Sequence, residues 1–322
     1  MFFSSCPTKT IKLEISDITS LLIFKRHSSS KRWQARQIKD HFTRAAAVQG
    51  LKSRAAFKLL QIDEKYHIFK SGQTVVDLVY ALSLSSLGIQ ADHLLFSSGI
   101  RPRLLVSVTR TQPNGRVLGV DIIPAQPPKG VSTIQGNFLA PDIQAYVREF
   151  LRDPCRGRPR SPGPWDGDGH NNTTLSTTAS MEHNSECIGQ SDAVSERTVD
   201  VVLSDMCAPW FQTTGFWKRS LSDPYNRMMN TSGVNFRDHA GSMDLCRAAL
   251  QFSFDTLRTG GHFICKFYQG VEDKELERQF KALFHRVHRI KPESSRNESR
   301  EAYFVGLDRR NNALKNEVLI HS

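Results

Sequence analysis

Three acids and one lysine stand where short apolar runs end. Asp77 lies in TVVDL, Asp121 follows RVLGV, Asp205 follows DVVLS, and Lys266 closes HFIC just before Phe267. In open α/β sheets, ligands collect outside the carboxyl ends of the strands, so the residue types at those ends decide the chemistry. A single Asp there is ordinarily the cap of the next helix. Three at successive strand ends favour a nucleotide-like cofactor, and an acid after the second strand suits a ribose or adenine contact. Lys266 has two readings. It snorkels to the rim, or it sits in a desolvated cleft. In a cleft, burial and neighbouring cations lower its pKa toward the value a general base needs.

These residues need a scaffold, and the pattern of the chain supplies one. TVVDL (74–78), RVLGV (116–120), VSTIQ (131–135) and DVVLS (200–204) read as strands. Residues 53–66, SRAAFKLLQIDEKY, read as a helix capped by Ser53, with Ala56, Leu59, Leu60 and Asp63 at helical spacing. A long helix is expected over about 238–257, stopped by the glycines at 260–261. HFICKF (262–267) is the next strand, 273–284 the next helix, and VHRI and EAYFVGL the last strands. Strands alternating with helices imply a mostly parallel α/β sheet covered on both faces. The last two strands lie close in sequence, so one of them is expected to run antiparallel.

The chain has 322 residues and a formal net charge of +11. Between Lys25 and Lys70 there are twelve Lys/Arg against three Asp/Glu. Such clustering points to a polyanion, most simply nucleic acid, against the bland reading of a solvated surface. The six cysteines contain no C-x-x-C pair, which fits neither a zinc site nor a disulfide framework and suggests a reducing compartment. No metal-ligating set is expected, and no apolar run is long enough for a membrane helix. The first thirty residues hold seven serines, three lysines and Arg26, but also Glu14 and Asp17. They match an organelle presequence in part and lean toward mitochondrial import, with an ordinary disordered N-terminus close behind. Residues 152–197 are rich in Gly, Pro, Ser, Thr and Asn, and read as a disordered insertion that buries too little to offset its ordering entropy.

Six segments recur in order: SSSKRW (28–33), GLKSRAAFKLLQID (50–63), TVVDL, VLSDMCAP (202–209), GGHFICKFYQG (260–270) and SSRNESREAYFVG (294–306). Together they resemble the FtsJ/RrmJ family of ribosomal-RNA 2′-O-ribose methyltransferases, most of all its mitochondrial branch, which modifies a uridine of the large-subunit rRNA. The resemblance covers about 28–150 and 198–307. It implies a Rossmann-like fold dependent on S-adenosylmethionine, with a mostly parallel seven-stranded sheet, and a role in ribosome biogenesis. It also implies a catalytic tetrad: Lys58 in SRAAFKL, Asp205 in LSDM, Lys266 in FICKFYQG and Glu301 in SREAYFVG. Lys266 would take the proton of a ribose 2′-hydroxyl. Lys58 would depress the pKa of Lys266 and orient the hydroxyl, and the two carboxylates would fix the lysines. Asp77, Asp121, Asn137 and Asp205 are the implied cofactor contacts, with Asn137 standing where many members carry Asp. Lys31, Arg32, Arg36, Lys39, Lys52 and Arg54, joined by Arg296 and Arg300, are the implied contacts to rRNA phosphates, so binding should depend on salt. The resemblance strengthens the reading of 1–27 as a mitochondrial presequence, places the methyltransferase domain at 28–309, and leaves 310–322 as a tail.

One departure is conspicuous. The family expects D-L-G-x-x-P-G-x-W-S-Q after the first strand, glycines letting backbone approach the cofactor. Here Asp77 and Leu78 are followed by VYALSLSSLGIQADHLLFSSGIRPRLLVS, with both flanks intact. Permitted codons for Pro102–Ser107 and the start of Val108, CCC AGG CTC CTG GTC TCA G, spell Pro-Gly-Ser-Trp-Ser-Gln when read one base later. Segment 79–107 is therefore read as a retained intron or misplaced splice site, and this chain is expected to bind S-adenosylmethionine poorly. Two further readings stay open: a non-catalytic rRNA-binding assembly factor, and a 2′-O-methyltransferase acting on tRNA or an mRNA cap.

Overall fold

The computed structural model describes residues 40–48, 55–79, 100–122, 127–159, 197–208 and 234–319. The basic residues Lys31, Arg32, Arg36, Lys39, Lys52 and Arg54, the Ser53 cap, the 1–27 segment and most of 152–197 lie outside these described residues.

The elements run α1 (His41–Val48), α2 (Ala55–Tyr66), β1 (Thr74–Leu78), α3 (Ile100–Thr111), β2 (Arg116–Asp121), β3 (Val131–Gln135), α4 (Pro141–Arg152), β4 (Val199–Ser204), α5 (Asn235–Thr256), β5 (Leu257–Tyr268), α6 (Asp273–Leu283), β6 (Phe284–Ile290), β7 (Glu301–Arg309) and α7 (Lys315–Val318). Seven strands form one sheet in the order β3-β2-β1-β4-β5-β7-β6. β7 runs antiparallel to both of its neighbours, and the other pairings are parallel. The α/β class, the mostly parallel sheet and the single reversed strand are as the sequence implies. β1, β2 and β4 are buried at every position, as expected for central strands covered on both faces.

Strand alternation sorts the core into two layers. Phe263, Cys265, Phe267, Ala302 and Phe304 pack with α5 and α6. There Phe267 stacks on Phe304 with ring centroids 4.2 Å apart. Each buried phenylalanine contributes about 1.5–3 kcal/mol. Ile264, Tyr303, Val305 and Leu307 face the other way, against Ala56, Leu59 and Ile62 of α2 and Leu104 and Val106 of α3. By the same alternation the candidate residues Asp77, Lys266 and Glu301 fall on this second face.

Three local expectations shift. Helix α5 ends at Thr256, before the glycine pair, and Leu257 already belongs to β5. The glycines instead form an irregularity in β5. Gly260 adopts φ +78°, and a Cβ on Gly261 would come 3.0 Å from the Asp200 carbonyl oxygen. Helix α3 begins at Ile100, inside the segment read as alien, and from Leu104 on it packs as an ordinary crossover helix. Finally, Cys155 is disulfide-bonded, whereas the absence of C-x-x-C suggested no such bond, and Cys207, Cys246 and Cys265 are free. Among the described residues, no helix is long and apolar enough to cross a membrane.

Candidate active site

β1 sits where the sheet changes direction, flanked by β2 on one side and β4 on the other. The crevice beyond the strand ends opens at such a point. Asp205 follows β4 directly, and its backbone N–H donates to the Leu78 carbonyl at 3.1 Å, tying the two strand ends together.

Two lysine–carboxylate pairs form one half of the site. Lys58, on α2, brings its Nζ to 2.5 Å from Glu301 Oε1. Glu301 opens β7 and pairs in register with Tyr268, while Lys266 pairs with Tyr303. Alternation therefore places Lys266, Tyr268, Glu301 and Tyr303 on the same face as α2. Ser295 Oγ donates to Glu301 Oε1 at 2.8 Å. One residue earlier, Ser294 N–H and Oγ donate to Gln61 Oε1 of α2 at 3.0 and 2.8 Å, which fastens this loop beside Lys58. Burial alone would raise the Glu301 pKa. The charges of Lys58 and Lys266 and the hydrogen bonds from Lys58 and Ser295 outweigh it and hold the carboxyl below its ordinary range.

Lys266 is 4 % exposed. Its Nζ lies 2.8 Å from Asp205 Oδ1, 2.9 Å from the Asp205 carbonyl oxygen and 2.7 Å from Cys207 Sγ. An ammonium has three protons to donate, and each has a partner here. The Lys266 pKa departs from expectation. Burial pushes it down, but Cys207, Tyr268, Tyr303 and Glu301 push it up further, and the net direction is upward. Lys58 itself is paired with Glu301. Of the residues around Lys266, Cys207 and the two tyrosines were missed from the sequence. All three lie inside quoted motifs, yet apolar-run reasoning gives no sign that a thiol or phenol will face a lysine.

The other half is acidic. Asp77 is fully buried in β1, and Asp121 closes β2, 4 % exposed. Burial raises the Asp77 pKa to about 6. Arg103 pulls against this and Asp121 reinforces it. Asn137 lies beyond β3 and is exposed. Its Oδ1 accepts from the Leu139 N–H at 2.9 Å, so the side chain shapes the turn into α4. A fourth participant was not foreseen. Arg103 of α3, 5 % exposed, places Nη2 2.5 Å from Asp77 Oδ1 and Nη1 3.0 Å from Asp205 Oδ2. Asp77 Oδ2 is buried without a hydrogen-bond partner among the described residues. By the chemistry of its acceptor oxygens this half fits a ligand that carries positive charge and donates hydrogen bonds, and Arg103 supplies both.

Arg296 and Arg300 lie on the loop that enters β7. Arg300 is exposed and Arg296 half-buried. The Arg300 carbonyl accepts from Gln269 N–H at 3.0 Å, placing this loop next to the end of β5. Among the described residues no cluster of His, Cys, Asp and Glu could hold a metal ion.

Residues 51–82 and 102–309 match the family model described as FtsJ-like methyltransferase. The match passes over 83–101, the middle of the segment that departs from the expected motif. The chain is 38% identical over 314 residues to rRNA methyltransferase 2, mitochondrial, of Saccharomyces cerevisiae, covering 92% of each chain. It is 29% identical over 278 residues to the protein of the same name in Schizosaccharomyces pombe, covering 86% of this chain and 95% of that one. It is 29% identical over 286 residues to ribosomal RNA large subunit methyltransferase E of Nitrosospira multiformis, covering 89% and 99%.

Proposed function

The chain belongs to the FtsJ-like methyltransferase family, and from that premise we propose that it carries the machinery for 2′-O-methylation of a uridine in mitochondrial large-subunit rRNA. The observation that carries this reading is the convergence of two lysine–carboxylate pairs, Lys58–Glu301 and Lys266–Asp205, beside the strand-end acids. The names of the yeast relatives support the substrate and the mitochondrial location.

S-adenosylmethionine, when bound, supplies an electrophilic methyl group on a cationic sulfur. Asp77, Asp121 and Asp205 are the side chains that would hold it, with Asn137 shaping the turn at the edge. The remaining chemistry belongs to the lysines. A ribose hydroxyl is a weak nucleophile until its proton leaves, and Lys266 Nζ is the group placed to take it. As arranged here Lys266 is an ammonium, so it must first give up a proton to solvent before it can take one from the ribose. Asp205 governs that step. Its two oxygens already face two cations, Lys266 and Arg103, and the more its charge is drawn to a neighbouring cation, the less it stabilises the ammonium. Lys58, fixed by Glu301, orients the ribose and steadies the oxygen as charge develops. Positioning supplies much of the acceleration. Arg296 and Arg300, with the basic segment 31–54, grip phosphates of the rRNA.

One observation favours a second reading, a non-catalytic rRNA-binding assembly factor: a guanidinium stands in the acidic half of the site. A single assay separates the two. Large-subunit rRNA transcript is incubated with labelled S-adenosylmethionine and a chain in which the glycine-bearing loop replaces 79–107. Nucleoside digestion should yield 2′-O-methyluridine. Its absence with the loop restored would sink the enzymatic reading.

A further inference from the structure

Arg103 is held in its place from several sides. The next residue, Leu104, is 1 % exposed, and Val106 is 4 % exposed, both in the core layer shared with α2. Further along α3, Arg110 Nε lies 3.4 Å from Asp63 Oδ2 of α2. The helix is thus anchored on the sheet, and the buried Arg103 side chain points at the crevice between β1 and β4. A guanidinium offers several N–H groups in a rigid plane, which suits bridging two carboxylates better than a single ammonium does. Here Nη2 donates to Asp77 Oδ1, while Nη1 reaches Asp205 Oδ2 as an ion pair without a hydrogen bond.

We propose that Arg103 is the resident counter-cation of the Asp77–Asp205 pair, occupying the place a cationic methyl donor needs, and so sets how tightly this chain binds the donor and how well it separates a charged sulfonium from the neutral thioether product. The proposal rests on the cofactor reading above. A competitor tethered to the same fold lowers apparent affinity in proportion to the time it is seated. A residue without a cationic side chain at 103 leaves Asp77, and the Asp205 oxygen that does not face Lys266, without their arginine partner. In the alternative reading frame of Pro102–Ser107, that residue is glycine.

The test uses the full chain and the variants Arg103→Ala, Arg103→Gln and Arg103→Lys. Calorimetry measures binding of S-adenosylmethionine and of S-adenosylhomocysteine. The two neutral variants should bind S-adenosylmethionine at least about ten-fold tighter than the parent. The gain for S-adenosylhomocysteine should be smaller, because its sulfur carries no charge, and Arg103→Lys, with a single ammonium, should fall between the parent and the neutral variants. A ligand-free double-mutant cycle of melting temperatures, Arg103→Gln with Asp77→Asn, should be non-additive, as for any contacting pair.

An additive cycle overturns the proposal, because the guanidinium is then not seated on Asp77. A coupled cycle with unchanged S-adenosylmethionine affinity also overturns it, since no competition exists, and leaves the proposed function intact. Equal gains for both ligands overturn the charge selection. No binding in any variant, including the loop-restored chain, overturns the cofactor reading and the competition together.

Discussion

Glu301 and Asp77 are both buried carboxylates with one oxygen 2.5 Å from a cation, yet their protons behave in opposite ways. Glu301 is held below its ordinary range, whereas Asp77 is pushed up to about 6. Burial acts in the same direction on both. The difference is the company each keeps. Glu301 faces two lysines and accepts from Ser295. Asp77 has one arginine, shared with Asp205, and a second acid, Asp121, pressing on it. A charge pair in the interior is secure only when the remaining lone pairs are also satisfied. By that measure the lysine half of the site is satisfied within the chain, whereas in the acidic half Asp77 Oδ2 has no hydrogen-bond partner among the described residues.

The largest expected effect tests whether the lysine half performs the chemistry. In the loop-restored chain, Lys266→Met should lower methyl transfer to large-subunit rRNA about 10²–10⁴-fold, the usual contribution of a general base. Donor affinity measured by calorimetry should change far less. A variant that kept its turnover would break the division between the halves, because Lys266 would then be only a structural counter-ion to Asp205.

Next in size is the pH dependence of Asp77. Its folded pKa of about 6 lies above the ordinary 3.8. The stability it contributes is therefore fully present below pH 3.8 and is lost as pH rises through about 6. A gap of about two units corresponds to roughly 3 kcal/mol. Asp77→Asn should thus gain stability relative to the parent, by roughly 3 kcal/mol, between about pH 4 and pH 7. Glu301→Gln should do the reverse. The stability of the Glu301 carboxylate is present above its ordinary value of 4.5 and is lost as pH falls through its lower folded value. Denaturant midpoints measured for Asp77→Asn between about pH 4 and pH 7, and for Glu301→Gln below pH 4.5, would sharpen the contrast. Parallel slopes would erase it.

The two halves were also unequally legible in the sequence. TVVDL, DVVLS and HFICKF are short apolar runs whose length and bounding residues fix them as strands, and from them the sheet and its strand-end residues follow. Lys58, Asp205, Lys266 and Glu301 were named by motif match, and the fold brings them together as two pairs. What could not be read depends on side chains meeting across distant elements. Cys207 and Lys266 are 59 residues apart, and no local pattern reveals a sulfur aimed at an ammonium. The sign of the Lys266 shift was misjudged for the same reason. A buried lysine next to a second lysine should lose its proton easily, but Cys207, Tyr268, Tyr303 and Glu301 outweigh the burial and reverse the balance. Arg103 was hidden differently. It stands in RPRLLVS, within a stretch whose motif is absent, so no expectation attached to it.

The smallest effect probes how the lysine half stays complete. Ser295 is 5 % exposed, and its hydroxyl is one of the groups keeping Glu301 ionised. Ser295→Ala removes a hydrogen bond to a charged acceptor and should cost about 1.5 kcal/mol of stability. Glu301 should then titrate at higher pH, so acid unfolding should begin earlier, visible as a raised midpoint in a pH titration of circular dichroism. Methyl transfer by the loop-restored chain should fall little, because Lys58 keeps its partner. If the acid midpoint does not move, the two lysines alone secure Glu301. The contrast with Asp77 would then reduce to the number of cations each carboxylate faces rather than to the satisfaction of its oxygens.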